Sequence, residues 1–234
     1  MDILLSFLAI VLSYLVGSIP FGLIVVKIFT GRDIRFIGSG RIGGTNVMRA
    51  AGLLAGGFTA TMDVLKGFAS KWFVDWLFPD APPIVRVFAA AFAIWGSIHS
   101  IFLIERKENG RLHLRGGAGG ATTGGAAMAL FANAWQILIP VGILVFIFIG
   151  YASVTTISIA ATSLLIFAIR AIQGASPWEY ILFGVIALGE VLYALRPNLI
   201  RLRAGTERMV GLRAYLHKRK RNRENNQDLN HPSQ

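Results

Sequence analysis

The chain has 234 residues, 54% hydrophobic and only 15% charged, which excludes an ordinary soluble domain, where roughly 25% are charged. Cysteine is absent and His99, His113, His217 and His231 show no metal-ligand spacing, so disulfides, thiolate catalysis and metal centres are all excluded from the expectations. The net charge is +11, and residues 196–234 carry ten of the basic residues against three acids, +7 in that stretch.

Long apolar runs recur along the chain, each of a length suited to crossing a bilayer. They predict spans near 3–28, 52–72, 84–104, 118–133, 135–151, 154–170 and 178–195, the fourth being rich in glycine. The first lacks a basic leading region and a small-residue cleavage pattern, so it reads as a helix and not as a signal peptide. Arg32, Arg35, Arg41 and Arg49 follow the first span, and Arg106, Lys107, Arg111 and Arg115 follow the third. By the positive-inside rule these loops and the C-terminus are cytoplasmic and the N-terminus lies outside. Trp72, Trp76, Trp135 and Trp178 then fall near the outer ends, where indoles favour the interface. The expected fold is an all-α, polytopic transmembrane bundle of about seven helices, with cytoplasmic glycine-rich loops. Residues 1–208 form the membrane domain, and 209–234 a basic, polar, disordered tail that favours the anionic leaflet. Membrane lipids are expected partners; nucleic acid is not.

Gly38-Ser39-Gly40-Arg41-Ile42-Gly43-Gly44-Thr45-Asn46-Val47-Met48-Arg49 joins the first two spans. Glycines let backbone amides turn inward on an anion, while Ser39, Thr45, Asn46, Arg41 and Arg49 are donors suited to phosphate oxygens. A plain turn carrying topogenic arginines is the competing reading. Asp63 and Lys66, three residues apart in the second span, share a helix face and form an expected structural ion pair. Glu190 in the last span has no obvious partner. Arg115-Gly116-Gly117-Ala118-Gly119-Gly120 opens the fourth span, either as a second phosphate cradle at a helix N-terminus or as small residues for close packing. Beyond the last span, 197–207 reads as a short interfacial segment with Asn198 and Arg201 on one face.

These motifs together resemble the bacterial acyl-phosphate:glycerol-3-phosphate acyltransferase family over about residues 12–208. The likeness is carried by Gly17-Ser18-Ile19-Pro20-Phe21-Gly22, the Gly38 to Arg49 run, Asp63-x-x-Lys66-Gly67, Arg115-Gly116-Gly117-x-Gly119 with Ala121-Thr122, and Asn198-x-x-Arg201-Leu202-x-x-Gly205-x-Glu207. The resemblance implies a seven-helix inner-membrane enzyme of phospholipid synthesis, moving a fatty acyl group from acyl phosphate to the 1-hydroxyl of glycerol 3-phosphate on the cytoplasmic face. No cofactor is implied. Ser39 and Asn198 are the implied catalytic residues. Gly38, Gly40, Arg41, Gly43, Thr45, Asn46, Arg49, Arg115, Gly116, Gly117, Gly119 and Arg201 are the implied phosphate and substrate contacts.

The chain departs from the family pattern at several positions. It has Arg41 for Asn, Gly44 for Ala, Ser97 for His, Ser100 for Pro, Arg115 for Lys and Ala118 for Lys, and about ten extra residues around Glu105 to Leu114. His99 lies two residues past the missing His, a helical step that rotates it to another face. Arg41 restores the cation lost at Ala118 if the two loops meet. Two other classes stay open: a non-catalytic paralogue that binds lipid precursors or a partner enzyme, and a small-solute transporter using Asp63 and Lys66.

Overall fold

A computed structural model describes residues 2–106, 110–217 and 219. The helices are α1 (Asp2–Ser18), α2 (Phe21–Thr30), α3 (Gly44–Ala51), α4 (Leu53–Leu77), α5 (Pro83–Ile98), α6 (Gly120–Leu130), α7 (Trp135–Leu144), α8 (Ala152–Ile172) and α9 (Glu179–Arg203). Among the described residues, four stretches, Asp2–Thr30, Ala132–Ile149, Ala152–Ile172 and Glu179–Arg203, are long and apolar enough to cross a membrane. The first is interrupted at Ile19-Pro20, where proline cannot donate a helical hydrogen bond, and α2 restarts from Pro20. This offset packs Gly22 beneath the following loop, so closely that a Cβ there would lie 1.8 Å from the Ile42 carbonyl oxygen.

The fourth expected span is an 11-residue helix, α6, about 16 Å long at 1.5 Å per residue and too short to cross a hydrocarbon core of about 30 Å by itself. Eight of its residues are buried, and it fits because α4 and α6 touch backbone to backbone. A Cβ on Gly67 would sit 2.0 Å from the Thr122 carbonyl oxygen, and one on Gly125 1.9 Å from that of Val64. Such close approach replaces the missing hydrophobic drive between helices in lipid. The main apolar core joins α5 to α9: Val87, Ile94 and Ile98 meet Ala126 and Ala127, Leu138, Phe167 and Phe183. Phe167 packs edge-on against both Tyr180 and Phe183, with ring centroids 5.6 and 5.7 Å apart.

Among the described residues, a two-stranded sheet accompanies the helices. β1 (Ile104–Arg106) pairs antiparallel with β2 (Leu112–Leu114), with Glu105 opposite His113. These two strands thus form an antiparallel pair on the helical frame.

Two expectations at the C-terminal end change. α9 does not stop before an interfacial segment at 197–207; it continues through Pro197 to Arg203. Pro197 cannot serve the Tyr193 carbonyl, and at the next residue Arg41 donates to the Ala194 carbonyl. The ordered chain also runs past 208. Met209 bridges to Tyr151, the Val210 amide donates to the Gly150 carbonyl at 2.8 Å, and 211–217 are helical, with Arg213 over the Tyr151 ring. Backbone pairing and a cation–π contact hold this segment to the start of α8. Residues 218 and 220–234, the rest of the expected disordered tail, lie outside the described residues.

Candidate active site

The first glycine loop is built from its own side chains. Past α2, Asp33 accepts from the Arg35 amide at 2.9 Å and starts a turn at Ile34–Phe36. The Arg35 guanidinium folds back on Asp33 at 2.7 Å, which holds the Asp33 carboxyl below the usual carboxylate range. Gly38 and Gly40 then adopt φ of 60° and 70°, a left-handed conformation that costs glycine nothing, and between them Ser39 is exposed.

Asn46, buried in the first turn of α3, staples this loop. Its Nδ2 donates to the carbonyls of Ile37 and Arg41, both at 2.9 Å, and its Oδ1 accepts from the Ser39 amide at 3.1 Å. Both donor hydrogens are engaged within the loop, so Asn46, expected as a phosphate donor, here shapes the loop.

The second glycine loop lies against the first. The Arg115 guanidinium donates to the Arg35 carbonyl at 3.0 Å and meets Glu105 at 2.7 Å. Glu105 also binds Arg35 at 3.1 Å, so one hairpin carboxylate joins cations from both loops. Gly116 presses on the end of α5, where a Cβ would be 2.1 Å from the Ile98 carbonyl oxygen. The Gly117 amide donates to the Ser97 carbonyl at 2.8 Å. Ser97 is buried under this loop and accepts from the Thr122 hydroxyl at 3.1 Å. Arg41 crosses the gap, with Nη1 3.5 Å from the Gly117 carbonyl and Nη2 on Ala194 of α9. Its guanidinium therefore stands beside Ala118. Burial lowers the Arg41 pKa from its ordinary value, with Arg201 adding to the effect and Glu207 opposing it.

A cavity of about 630 Å³ opens between these elements, and Gly38, Ser39, Gly40, Arg41, Arg115, Gly116 and Gly117 line it. Both loops therefore lie at one end of the bundle. Arg35, Phe36, His99, His113, Tyr193 and Arg196 complete much of the wall. His99 faces the cavity because it lies beyond α5, at φ −124° and ψ 75°, so the rotation expected for a continuing helix does not apply.

Gly43, Thr45, Arg49, Gly119, Asn198 and Arg201 are not among the lining residues. Asn198 follows Pro197, which is one, and donates to Glu207 at 2.7 Å, while Arg201 meets the same carboxylate at 3.2 Å. The Asn198 Oδ1 is buried and has no hydrogen-bond partner among the described residues. Arg49 is exposed on α3 and interacts electrostatically with Arg208 and Glu207. Away from the cavity, Asp63 and Lys66 are 2.7 Å apart, and the Lys66 ammonium lies 5.3 Å from the Phe21 ring centroid. Glu190 Oε2 is buried without a partner among the described residues.

Sequence reasoning missed His113, Tyr193 and Arg196 as parts of this wall, and the roles of Glu105 and Glu207 behind it. Glu207 stood in a quoted motif. Glu105 lies 70 positions from Arg35 and carries no local signal of that contact. A second groove, between Val145–Ile149 and residues 209–217, is mostly apolar, with Ile147, Phe148, Leu212 and Leu216 beside Arg213 and His217.

The cavity joins guanidinium groups to glycine-lined backbone, an arrangement suited to stabilising phosphate charge. Comparison with known proteins agrees. Residues 7–205 match the family model described as glycerol-3-phosphate acyltransferase. Glycerol-3-phosphate acyltransferase 2 of Moorella thermoacetica is 38% identical over 88% of this chain and 98% of its own length. Glycerol-3-phosphate acyltransferase of Rubrobacter xylanophilus is 34% identical over 90% and 98%. The crystal structure of PlsY (YgiH), an integral membrane glycerol 3-phosphate acyltransferase in its glycerol 3-phosphate form, superposes with a TM-score of 0.75 at 27% identity, over 90% of this chain and 98% of that one. Its lysophosphatidic acid form gives 0.73 at 25% identity, over 91% and 98%. This integral-membrane chain belongs to the glycerol-3-phosphate acyltransferase family.

Proposed function

We propose that this protein is an acyl-phosphate-dependent glycerol-3-phosphate acyltransferase that makes lysophosphatidate for phospholipid synthesis. The carrying observation is the single cavity that brings Ser39 and Arg41 of the first glycine loop together with Arg115 to Gly117 of the second. Either loop alone offers few donors for two phosphate-bearing substrates. In the reaction the 1-hydroxyl of glycerol 3-phosphate attacks the acyl carbonyl carbon, the carbonyl carbon to phosphate oxygen bond breaks, and the departing phosphate takes the hydroxyl proton. Because the leaving group is already good, positioning and charge neutralisation do most of the work and no covalent nucleophile is needed.

In this reading the Gly38 to Gly40 and Gly116 to Gly117 backbones cradle phosphate oxygens, and Arg41 and Arg115 neutralise charge. Ser39 hydrogen-bonds the reacting groups from the wall. Asn198, behind Pro197, is assigned to support the acceptor side of the site from behind the wall, with Glu207 holding its amide and Arg201. Gly43, Thr45, Gly119 and Arg49 act at the margin, Arg49 beside Arg208. The arginine distribution supports a site on the cytoplasmic face of a bacterial inner membrane, with the N-terminus outside. Purified protein given acyl phosphate and glycerol 3-phosphate is expected to form lysophosphatidate and inorganic phosphate. A folded protein that binds either substrate but gives no product would favour the non-catalytic paralogue.

A further inference from the structure

The two glycine loops account for only part of the cavity wall. The hairpin and the ends of α5 and α9 supply the rest, including His113, His99 and Arg196. Register explains why His113 is there: it pairs directly with Glu105, and directly opposed residues point to the same face of an antiparallel pair. Glu105 grips Arg35 and Arg115, both wall residues. The same face therefore carries the His113 ring to the cavity. His99 is near enough to interact with it and is itself fixed by aromatic packing, 4.1 Å from Trp95 and 5.8 Å from Tyr193 between ring centroids. Arg196 lies over Tyr193 at 4.8 Å. The His99 Nδ1 is buried with no hydrogen-bond partner among the described residues.

We propose that His113 is a phosphate contact, the tip of a subsite formed with His99 and Arg196 that receives one of the two substrate phosphates. The inference rests on the acyltransferase reading and adds a specific ligand group to it. Histidine is the side chain that gains positive charge within the physiological range, and an imidazolium donates a charge-assisted hydrogen bond to a phosphate oxygen. Among the described residues, the other charged or titratable groups lining this region are Arg35, Arg41, Arg115, Arg196, His99 and Tyr193, with Glu105 across the strand pair. Arginine stays protonated across this range whereas imidazole in general does not; burial lowers the His99 pKa from its ordinary value, with His113 adding to the effect, so the test is made at His113.

The test uses purified full-length protein and the variants His113→Gln and His113→Arg. Dissociation constants for glycerol 3-phosphate and for inorganic phosphate are read from ligand-dependent thermal stabilisation, and KM for each substrate from turnover, at about pH 6 and about pH 8.5. Ionisation of the ligand is common to all variants and cancels in ratios between them. The expected result is a loss of about tenfold in affinity for His113→Gln at the lower pH, disappearing at the higher. His113→Arg should bind tightly at both. The KM ratio that changes with pH identifies whether the acceptor or the acyl phosphate occupies the subsite. Equal affinity of His113→Gln and parent at both pH values overturns the proposal, and so does an equal loss at both, which is the signature of a purely structural hairpin residue. If the parent binds but does not turn over, the acyltransferase reading fails while the binding ratios still decide the role of His113.

Discussion

Replacing Asn46 by Asp separates the shaping of the first glycine loop from direct contact with substrate. The two side chains have the same size, and the acceptor oxygen facing the Ser39 amide remains. The amide nitrogen, however, becomes an oxygen placed against the Ile37 and Arg41 carbonyls, each now 2.9 Å from a donor. Each hydrogen bond is worth about 0.5–1.5 kcal/mol net, and a stranded buried acceptor costs about 1–3 kcal/mol. Partial relaxation of two such contacts leaves roughly 2–4 kcal/mol against the native loop, which at about 1.36 kcal/mol per decade is a fall of roughly 30- to 1,000-fold in kcat/KM. Lysophosphatidate formation measured at several concentrations of both substrates reads this loss. Thermal unfolding should move much less, because Asn46 lies outside the α1, α4, α5 and α6 contacts that hold the bundle. A folded Asn46→Asp protein with kcat/KM within about threefold of the parent would refute the staple argument, since that range is under about 0.7 kcal/mol.

Three further changes probe other levels of the structure. Lys66→Met strands the Asp63 carboxylate beside apolar groups and should destabilise by about 3–5 kcal/mol, with Asp63→Asn and Lys66→Met together milder than either alone; strict additivity in thermal unfolding would remove the pairing. Gly67→Ala forces a Cβ into backbone otherwise 2.0 Å away and should lower Tm by separating α4 from α6, so an unchanged Tm would show that the contact has slack. Arg41→Asn should lose most activity and Ala118→Lys should restore part of it, because the guanidinium already stands one residue from Ala118 and a nearby cation stabilises transferring phosphate charge; full activity in Arg41→Asn alone would make that charge dispensable.

Apolar run length and composition alone determined the membrane class, the helical fold and the approximate positions of the spans, because crossing hydrocarbon demands long apolar helices irrespective of their neighbours. The glycine-rich runs were legible for a similar reason: residues such as Gly38 and Gly40 are required by their local backbone. Tertiary structure alone decided what the polar side chains do. Asn46 has the donors of a phosphate ligand, but Ile37 and Arg41 take them. Arg41 was readable as a phosphate donor, but only the fold shows that it bridges a loop and a helix that lie 76 and 153 positions away. Glu105 and His113 gained their places through a hairpin register, and His99 faces the cavity because α5 ends at Ile98. The short α6 could be read as a weak span, yet its enclosure depends on glycines meeting backbone from distant helices. Hydrogen bonds and charge pairs act over a few ångströms and are indifferent to sequence separation, so only the folded chain specifies which partner each polar group finds.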